Sequence, residues 1–287
     1  MTTAPPGFDP QAVPVQRAAT VIVVDDRPEL EVLCLRRRAG SSFVGGMTVF
    51  PGGGIDDHDD DLAYDARVHG RSRAEMVRRL DAADALAYWV AVARETLEEV
   101  GVLLACDALG RPCEPAVAVR HRHDVDHGHR TLLDVLDEEA LLIDARAMYD
   151  VGRWITPVGP PRRYDTRFFV AQMPSRQEAV VDAIEAVHCE WRRPADALTE
   201  WRAGGLVMLP PTVAWLRVLE RYTSSADLLA AARTSGGPGL APRVMGDDRG
   251  SFVVLLPGEP GYLEPDTRDA LAWVYEGMWR VASTGSE

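Results

Sequence analysis

The segment from Asp84 to Gly101 constrains this chain more than any other stretch. At about 100° per residue, Leu86, Trp89, Val90, Ala93, Leu97 and Val100 fall in one stripe about a third of the way around a helix. Gly101 follows as a natural end to it. Glu95, Glu98 and Glu99 fall in a similar arc on the opposite side. The pattern predicts a helix over 84–100 that packs by one face and presents three carboxylates on the other. Like charges at these spacings cost about 0.2–0.5 kcal/mol per pair, and the dipole near a helix C-terminus disfavours them further. Arg94, four residues before Glu98, is the one helical base placed to relieve them, which leaves Glu95 and Glu99 uncompensated one turn apart. A hard divalent cation resolves that conflict, since Mg²⁺ binds through one or two carboxylates, waters and substrate phosphates. An ordinary solvated acidic face is the other outcome the spacing permits.

Composition narrows the rest. A chain of 287 residues is one large domain or two average ones. With 46% apolar and 26% charged residues, wholesale disorder, collagen and coiled coil are excluded. The net charge of −13 argues against nucleic acid or an anionic membrane surface as partner, so an anionic substrate needs local arginines or a metal. All 31 basic residues are arginine, and the chain has neither lysine nor asparagine. Schiff-base catalysis, a lysine P-loop and a Ser-x-x-Lys acyl enzyme are therefore ruled out. Cys34, Cys106, Cys113 and Cys189 form no CxxC pair and read as buried small hydrophobes. No secretory signal, carboxyl-terminal anchor or 18-residue apolar window is present, so the expected location is cytoplasmic, with no membrane.

Elsewhere the pattern is that of an α/β body with a tail. Ala18–Val24 and Glu31–Leu35, joined by Asp25-Asp26-Arg27-Pro28, predict a hairpin, and Met47–Phe50 a short strand before Pro51-Gly52-Gly53-Gly54. Residues 131–149 are expected to form a helix, Tyr164–Gln172 a strand, Pro194–Arg202 a short helix and Thr212–Arg233 a long amphipathic one. Ser235–Pro242 is linker chemistry, followed by a strand over Ser251–Leu256 and a helix over Thr267–Val281. The implied division is a flexible arm (1–17), a catalytic body (18–233) and a C-terminal αβ extension (234–287) packed on or near it.

The wording of the acidic helix adds a family resemblance. Arg94-Glu95-Thr96-Leu97-Glu98-Glu99-Val100-Gly101-Val102 resembles the catalytic helix of the Nudix hydrolases, R-E-U-x-E-E-x-G-U, with Thr96 where a bulky aliphatic is usual. Phe50-Pro51-Gly52-Gly53 resembles the entry to the same motif. The family leaves 13 residues between the glycine and the arginine, whereas 40 lie between Gly53 and Arg94, an insertion of 27 placed at about 55–83. Asp59 occupies the position of the family's first glutamate but is left outside the catalytic set because of the insertion. Glu190-Trp191 with Pro194 resembles a strand-end E-W-x-x-P. The arrangement over roughly 18–220 is similar to a subgroup with an inserted box, typified by a peroxisomal coenzyme A diphosphatase; its segments here include Trp154-Ile155-Thr156-Pro157 and Arg162–Phe169.

What the resemblance implies is an α/β/α sandwich with a mixed sheet and a metal-dependent pyrophosphohydrolase acting on a small nucleotide-type substrate, CoA or acyl-CoA first. Homodimerisation is left open. Glu95, Glu98 and Glu99, with the Gly53 carbonyl, would hold Mg²⁺ or Mn²⁺. Glu185 is the candidate base, with Asp182 and Glu178 as substitutes, and Arg94 would orient Glu98. Gly52, Gly53, Arg37, Arg163 and Arg167 are the substrate-binding candidates, although 163 and 167 share a strand face that 162 opposes. Alternatives are an ADP-ribose, NADH or RNA-cap hydrolase, a catalytically silent nucleotide-binding module, and a zinc hydrolase built on His121-Arg122-His123-Asp124-Val125-Asp126-His127-Gly128-His129. The last lies one residue out of the H-x-H-x-D-H register, so surface histidines in a polar loop are the plainer expectation. Asp57, Asp59 and Asp61 imitate an EF-hand start but lack its glycine and terminal glutamate, and predict a solvated loop.

Overall fold

The computed structural model describes residues 9–37, 46–156, 162–181, 186–235, 243–246, 252–255 and 260. The alternating apolar run opens as β1 (Val15–Asp26) and turns back as β2 (Leu30–Arg37). These two strands pair only beside the turn, from Val24↔Val32 to Asp26↔Leu30, and then diverge. Into the gap runs β3 (Thr48–Val49), which pairs with Leu35 and Arg36 of β2, and then β4 (Gly52–Gly54), which pairs with Ala18–Thr20 of β1. Between them the Pro51 carbonyl accepts the Val21 N–H at 2.9 Å. The Pro-Gly-Gly loop is thus held in the sheet as a wedge.

The chain continues through β5 (Val68–His69), α1 (Arg73–Leu80), α2 (Ala85–Val100), β6 (Ala105–Cys106), α3 (Pro115–Asp126), α4 (Leu132–Glu138) and β7 (Leu142–Asp144). Strands β5, β7 and β6 form a small separate sheet. Then β8 (Met148–Ile155), β9 (Arg163–Gln172) and β10 (Ala186–Arg192) complete the main sheet, in the order β10-β2-β1-β9-β8. β1 runs parallel to β9 and the other pairs are antiparallel, so the sheet is mixed. α5 (Pro194–Arg202), α6 (Pro210–Leu219) and α7 (Ser225–Ser235) follow, then the hairpin β11 (Arg243–Gly246) and β12 (Phe252–Leu255), with β12 against α6.

Strand alternation sends side chains to opposite faces and so builds two cores. Val21, Val23, Leu33, Leu35 and Phe169 face α2, where Trp89 meets Phe169 edge-on at 5.0 Å. Ile22, Val32, Phe168 and Val170 face α5–α7, where Trp215 lies 5.6 Å from Phe168. This is the expected α/β/α sandwich with a mixed sheet. Cys34, Cys106 and Cys113 are buried, Cys189 is half-buried, and all four are free thiols. Among the described residues, no helix is long and apolar enough to cross a membrane.

Several sequence expectations are corrected. β1 begins at Val15 rather than Ala18, and residues 10–12 form a short 3-10 turn capped by Asp9, so only 1–8 of the arm lies outside the described residues. The 131–149 helix stops at Glu138; Ala140 takes a left-handed conformation (φ 52°), and β7 and the start of β8 follow. The long helix over Thr212–Arg233 is two, because Ser225 donates its N–H and hydroxyl to Asp26 and so restarts the helix from the end of β1. Helix α2 has no solvated side over most of its length: Ala85–Leu97 are all buried. Tyr64, Met76 and Leu80 of the insertion, with Val117, Val125 and Leu136, supply that outer cover. The insertion is a packing layer on α2. Thr96 is tolerated in it because its hydroxyl bonds back to the Val92 carbonyl, leaving the methyl to the core. The helix over Thr267–Val281 lies outside the described residues.

Candidate active site

The carboxylates of α2 reach the wedge. Gly52 N–H donates to Glu99 Oε2 at 2.8 Å, and a Cβ on Gly53 would meet Glu95 Oε1 at 2.3 Å. A Cβ on Gly52 would meet the Ala19 carbonyl oxygen, also at 2.3 Å. Gly52 is required by its close approach to the β1 backbone, whereas a side chain at Gly53 would displace the Glu95 carboxylate from the loop. Glu95 and Glu99 converge on one loop, as a shared site demands.

Arg94 organises the cluster. Its Nε donates to Asp59 Oδ1 at 3.0 Å, and Nη2 to Asp59 Oδ2 at 2.9 Å and to the Gly54 carbonyl at 2.8 Å. Nη1 donates to Glu95 Oε1 at 2.9 Å and Glu98 Oε2 at 2.8 Å. A guanidinium has five N–H donors, and all five are used, so Arg94 orients carboxylates and has nothing left for substrate. The second oxygen of Glu95 and of Glu98 has no partner among the described residues. Arg37, at the end of β2, stands 3.6 Å from Glu99 Oε1.

Two expectations change here. Glu95 is not left without a cation, because Arg94 reaches its sequence neighbour as well as Glu98. Asp59, set aside because of the insertion, is 1% exposed and bonded twice to Arg94. The spacing from Gly53 was its signal, and the extra residues therefore follow Asp59 rather than starting near 55. Asp57 and Asp61 are exposed, as a solvated loop requires, and Asp59 alone of residues 56–61 turns inward, to Arg94.

Burial sets the electrostatics. Desolvation pushes the Glu95 carboxyl up to about 7 and the Glu98 carboxyl up to about 8, with Arg94 pulling both the other way. Asp59 is raised by the same cause. Against the pull of burial, Asp59, Glu95 and Glu98 hold Arg94 protonated. Among the described residues, five carboxylates, with Asp56 at the exposed rim, stand against the two guanidinium groups of Arg94 and Arg37, and near neutral pH protons held on Glu95 and Glu98 make up for the missing positive charge.

Arg122 of α3 was not foreseen. Its Nε donates to the Glu98 carbonyl at 3.0 Å, Nη2 to the Glu99 carbonyl at 2.9 Å and Nη1 to the Val180 carbonyl. It satisfies the open end of α2 and ties it to the strand-10 approach. Nothing local marks it, because its partners lie 23, 24 and 58 residues away.

The other candidates are dispersed. Arg167 lies in a row with Ala19 and Gly53, about 10 Å from the glycine by strand spacing. Arg163 is about 13 Å further along β9 and donates to the Thr156 carbonyl. Glu190 pairs with Arg192. Glu185 and Asp182 lie outside the described residues. The histidine segment is a helix end, not a loop: His121 is buried against Glu139 Oε1 at 2.7 Å, on the opposite side from His123. The His121–His123 pair a zinc hydrolase would need is not formed.

A family model described as the NUDT19 Nudix domain matches residues 66–219, more than half of the chain. The chain is 27% identical over 272 residues to the acyl-coenzyme A diphosphatase NUDT19 of Homo sapiens, covering 81% of this chain and 72% of that protein. Against the Gallus gallus protein of the same name it is 27% identical over 282 residues, covering 83% and 74%. Among solved structures, a NUDIX hydrolase from Alicyclobacillus acidocaldarius is similar with a TM-score of 0.64 and 28% identity, covering 79% of this chain and all of that one. The Nudix helix, the sheet that holds its loop and these relatives agree: the chain belongs to the Nudix hydrolases, in the family of the NUDT19 Nudix domain.

Proposed function

We propose that this diphosphohydrolase is divalent-cation-dependent and cleaves CoA or acyl-CoA at the diphosphate, giving 3′,5′-ADP and a phosphopantetheine. The observation that carries the cation is the charge shortage: Asp59, Glu95, Glu98 and Glu99 share two guanidinium groups under burial that raises Glu95 and Glu98. Hard oxygen donors suit Mg²⁺ or Mn²⁺. Glu95, Glu98, Glu99 and the Gly53 carbonyl would hold it. Bound there, the cation supplies positive charge to the diphosphate oxygens and makes water more acidic.

The chain's own residues do the rest. Arg94 and Asp59 fix the carboxylates, so no reorganisation is needed when charge develops. Glu185 or one of the helix carboxylates takes the proton from the attacking water. Arg37, beside Glu99, offers a fork to a phosphate oxygen, and Arg167 sits at a distance suited to a more distal phosphate of the same ligand. Arg163, the other candidate, lies about 13 Å further along β9, with its Nε on the Thr156 carbonyl. The preference for CoA is supported by the relatives named acyl-coenzyme A diphosphatase, which this chain matches over most of its length. A hydrolysis panel of CoA, acyl-CoA, ADP-ribose, NADH and diadenosine polyphosphates at fixed Mg²⁺, with products identified by mass, tests the assignment. Preferred turnover of CoA or acyl-CoA to 3′,5′-ADP is expected; preferred turnover of ADP-ribose or NADH would overturn the substrate.

A further inference from the structure

Three of the chain's seven histidines stand together at the carboxyl end of α3, away from the Nudix cluster in chemistry. His123 and His127, four residues apart, share a helix side, and their ring centroids are 4.1 Å apart. His129, just beyond the helix, lies 6.0 Å from His127 and 6.3 Å from His123. His127 Nδ1 is 2.9 Å from the His123 carbonyl oxygen. A carbonyl only accepts, so Nδ1 carries the proton and Nε2 keeps its lone pair. Imidazoles that ligate metals are commonly fixed in this way through their other nitrogen.

The charges around the rings favour a cation. Asp126 Oδ2 is 3.5 Å from His127 Nδ1, and Asp124 Oδ1 is 3.8 Å from His129 Nδ1. The nearby arginines are turned elsewhere: Arg122 to the end of α2, Arg130 to His121 and Glu138. The neighbouring group of His121, Glu138 and Glu139 brings donor atoms closer together, yet Arg120 and Arg130 already neutralise its carboxylates. Its charge is matched, whereas the three-histidine patch has flanking acids and, among the described residues, no guanidinium on it.

We infer that His123, His127 and His129 form a binding site for one divalent transition ion of the Zn²⁺, Ni²⁺ or Cu²⁺ class. As placed, the three rings do not yet bring their donor nitrogens together on one point, so binding requires side-chain rotation, and His129, 64% exposed, has room to turn. Imidazole nitrogens select these ions, and the oxygen donors of the Nudix cluster select Mg²⁺ or Mn²⁺, so the two sites sort by ligand softness. Occupied, the site pins the last turn of α3.

The test uses the untagged full chain, stripped by chelation and dialysed, then titrated with ZnCl₂ or NiCl₂ by calorimetry in excess Mg²⁺. One equivalent that Mg²⁺ does not displace is expected. His127→Ala should weaken it by about 10- to 100-fold, and the His123→Ala/His127→Ala double variant should abolish it. These residues are exposed, and metal-free unfolding at the wild-type temperature confirms that the variants fold. Bound Cu²⁺ should show hyperfine coupling to two or three nitrogens. Absence of that equivalent in the wild type, its persistence in the double variant, or its displacement by Mg²⁺ would overturn the site.

Discussion

Two acidic regions of this molecule are built from the same residue types and behave in opposite ways. Around α4, Asp137 pairs with Arg67, Glu138 with Arg130 and Glu139 with Arg120, and Asp134 caps the helix through Thr131. A hydrogen bond from His121 and the charge of Arg120 hold Glu139 below the usual carboxylate range, and Thr131 does the same for Asp134. At the Nudix helix, burial pushes Glu95 and Glu98 upward instead. The number of acids is alike. What differs is whether each has its own partner and access to water. A site for a ligand of positive charge is marked by the shortage, not by the acid count.

The comparison can be broken by removing one partner in each region. Asp59→Ala leaves two buried Arg94 donors without acceptors and should cost about 3 kcal/mol of stability, whereas Asp137→Ala, at a half-exposed pair, should cost under about 1 kcal/mol; urea unfolding of both measures the contrast. Equal losses would mean that the Nudix cluster is an ordinary surface network. For activity, Glu99→Gln should lower kcat by roughly 10²-fold or more, by analogy with loss of a main electrostatic stabiliser. Glu138→Gln should change kcat by less than about twofold, and near-normal turnover by the Glu99 variant would remove that residue from the mechanism.

A smaller effect is expected at the end of α2. Arg122→Met leaves two helix carbonyls without their charged donor, and a loss of about 1.5–3 kcal/mol should follow. Arg122→Lys should recover only part of it, since an ammonium cannot span all three carbonyls. Full recovery would make Arg122 a simple charge. A further contrast lies in pH dependence. Glu95 and Glu98 titrate at about 7 and about 8 in the fold, above the ordinary 4.5, so the folded state binds the extra protons. Their contribution is complete below pH 4.5 and is lost as pH rises through 7 to 8. Chelated protein should therefore melt at lower temperature at pH 8.5 than at pH 5.5, and saturating Mg²⁺ should remove that decline. The same slope with and without Mg²⁺ would contradict a cation on these carboxylates.

What could be read in the sequence was local. The β1–β2 hairpin, α2, β9 and α5 follow from periodicity and turn chemistry, and the R-E-x-x-E-E spacing put three glutamates on one helix end. Residues 131–149 were misread because Leu142–Asp144 and Met148–Ile155 carry as many apolar side chains as a helix would. Their pairing to β5, β6 and β9 is decided at a distance. The break at Ser224 did leave a mark, a Ser-x-x-Asp cap to Asp227. Asp59 was hidden by the 27 inserted residues between it and Arg94, although its distance from Gly53 is that of the family. Arg122 left no mark, since it bonds backbone carbonyls that any residue could supply.

Binding of Mn²⁺ followed by electron paramagnetic resonance at pH 8 tests the central claim most directly, in the wild type and in Glu98→Gln/Glu99→Gln. At least one bound ion per chain in the wild type, with most of that affinity gone in the double variant, is the expected result. A double variant that binds Mn²⁺ as tightly as the wild type would contradict it.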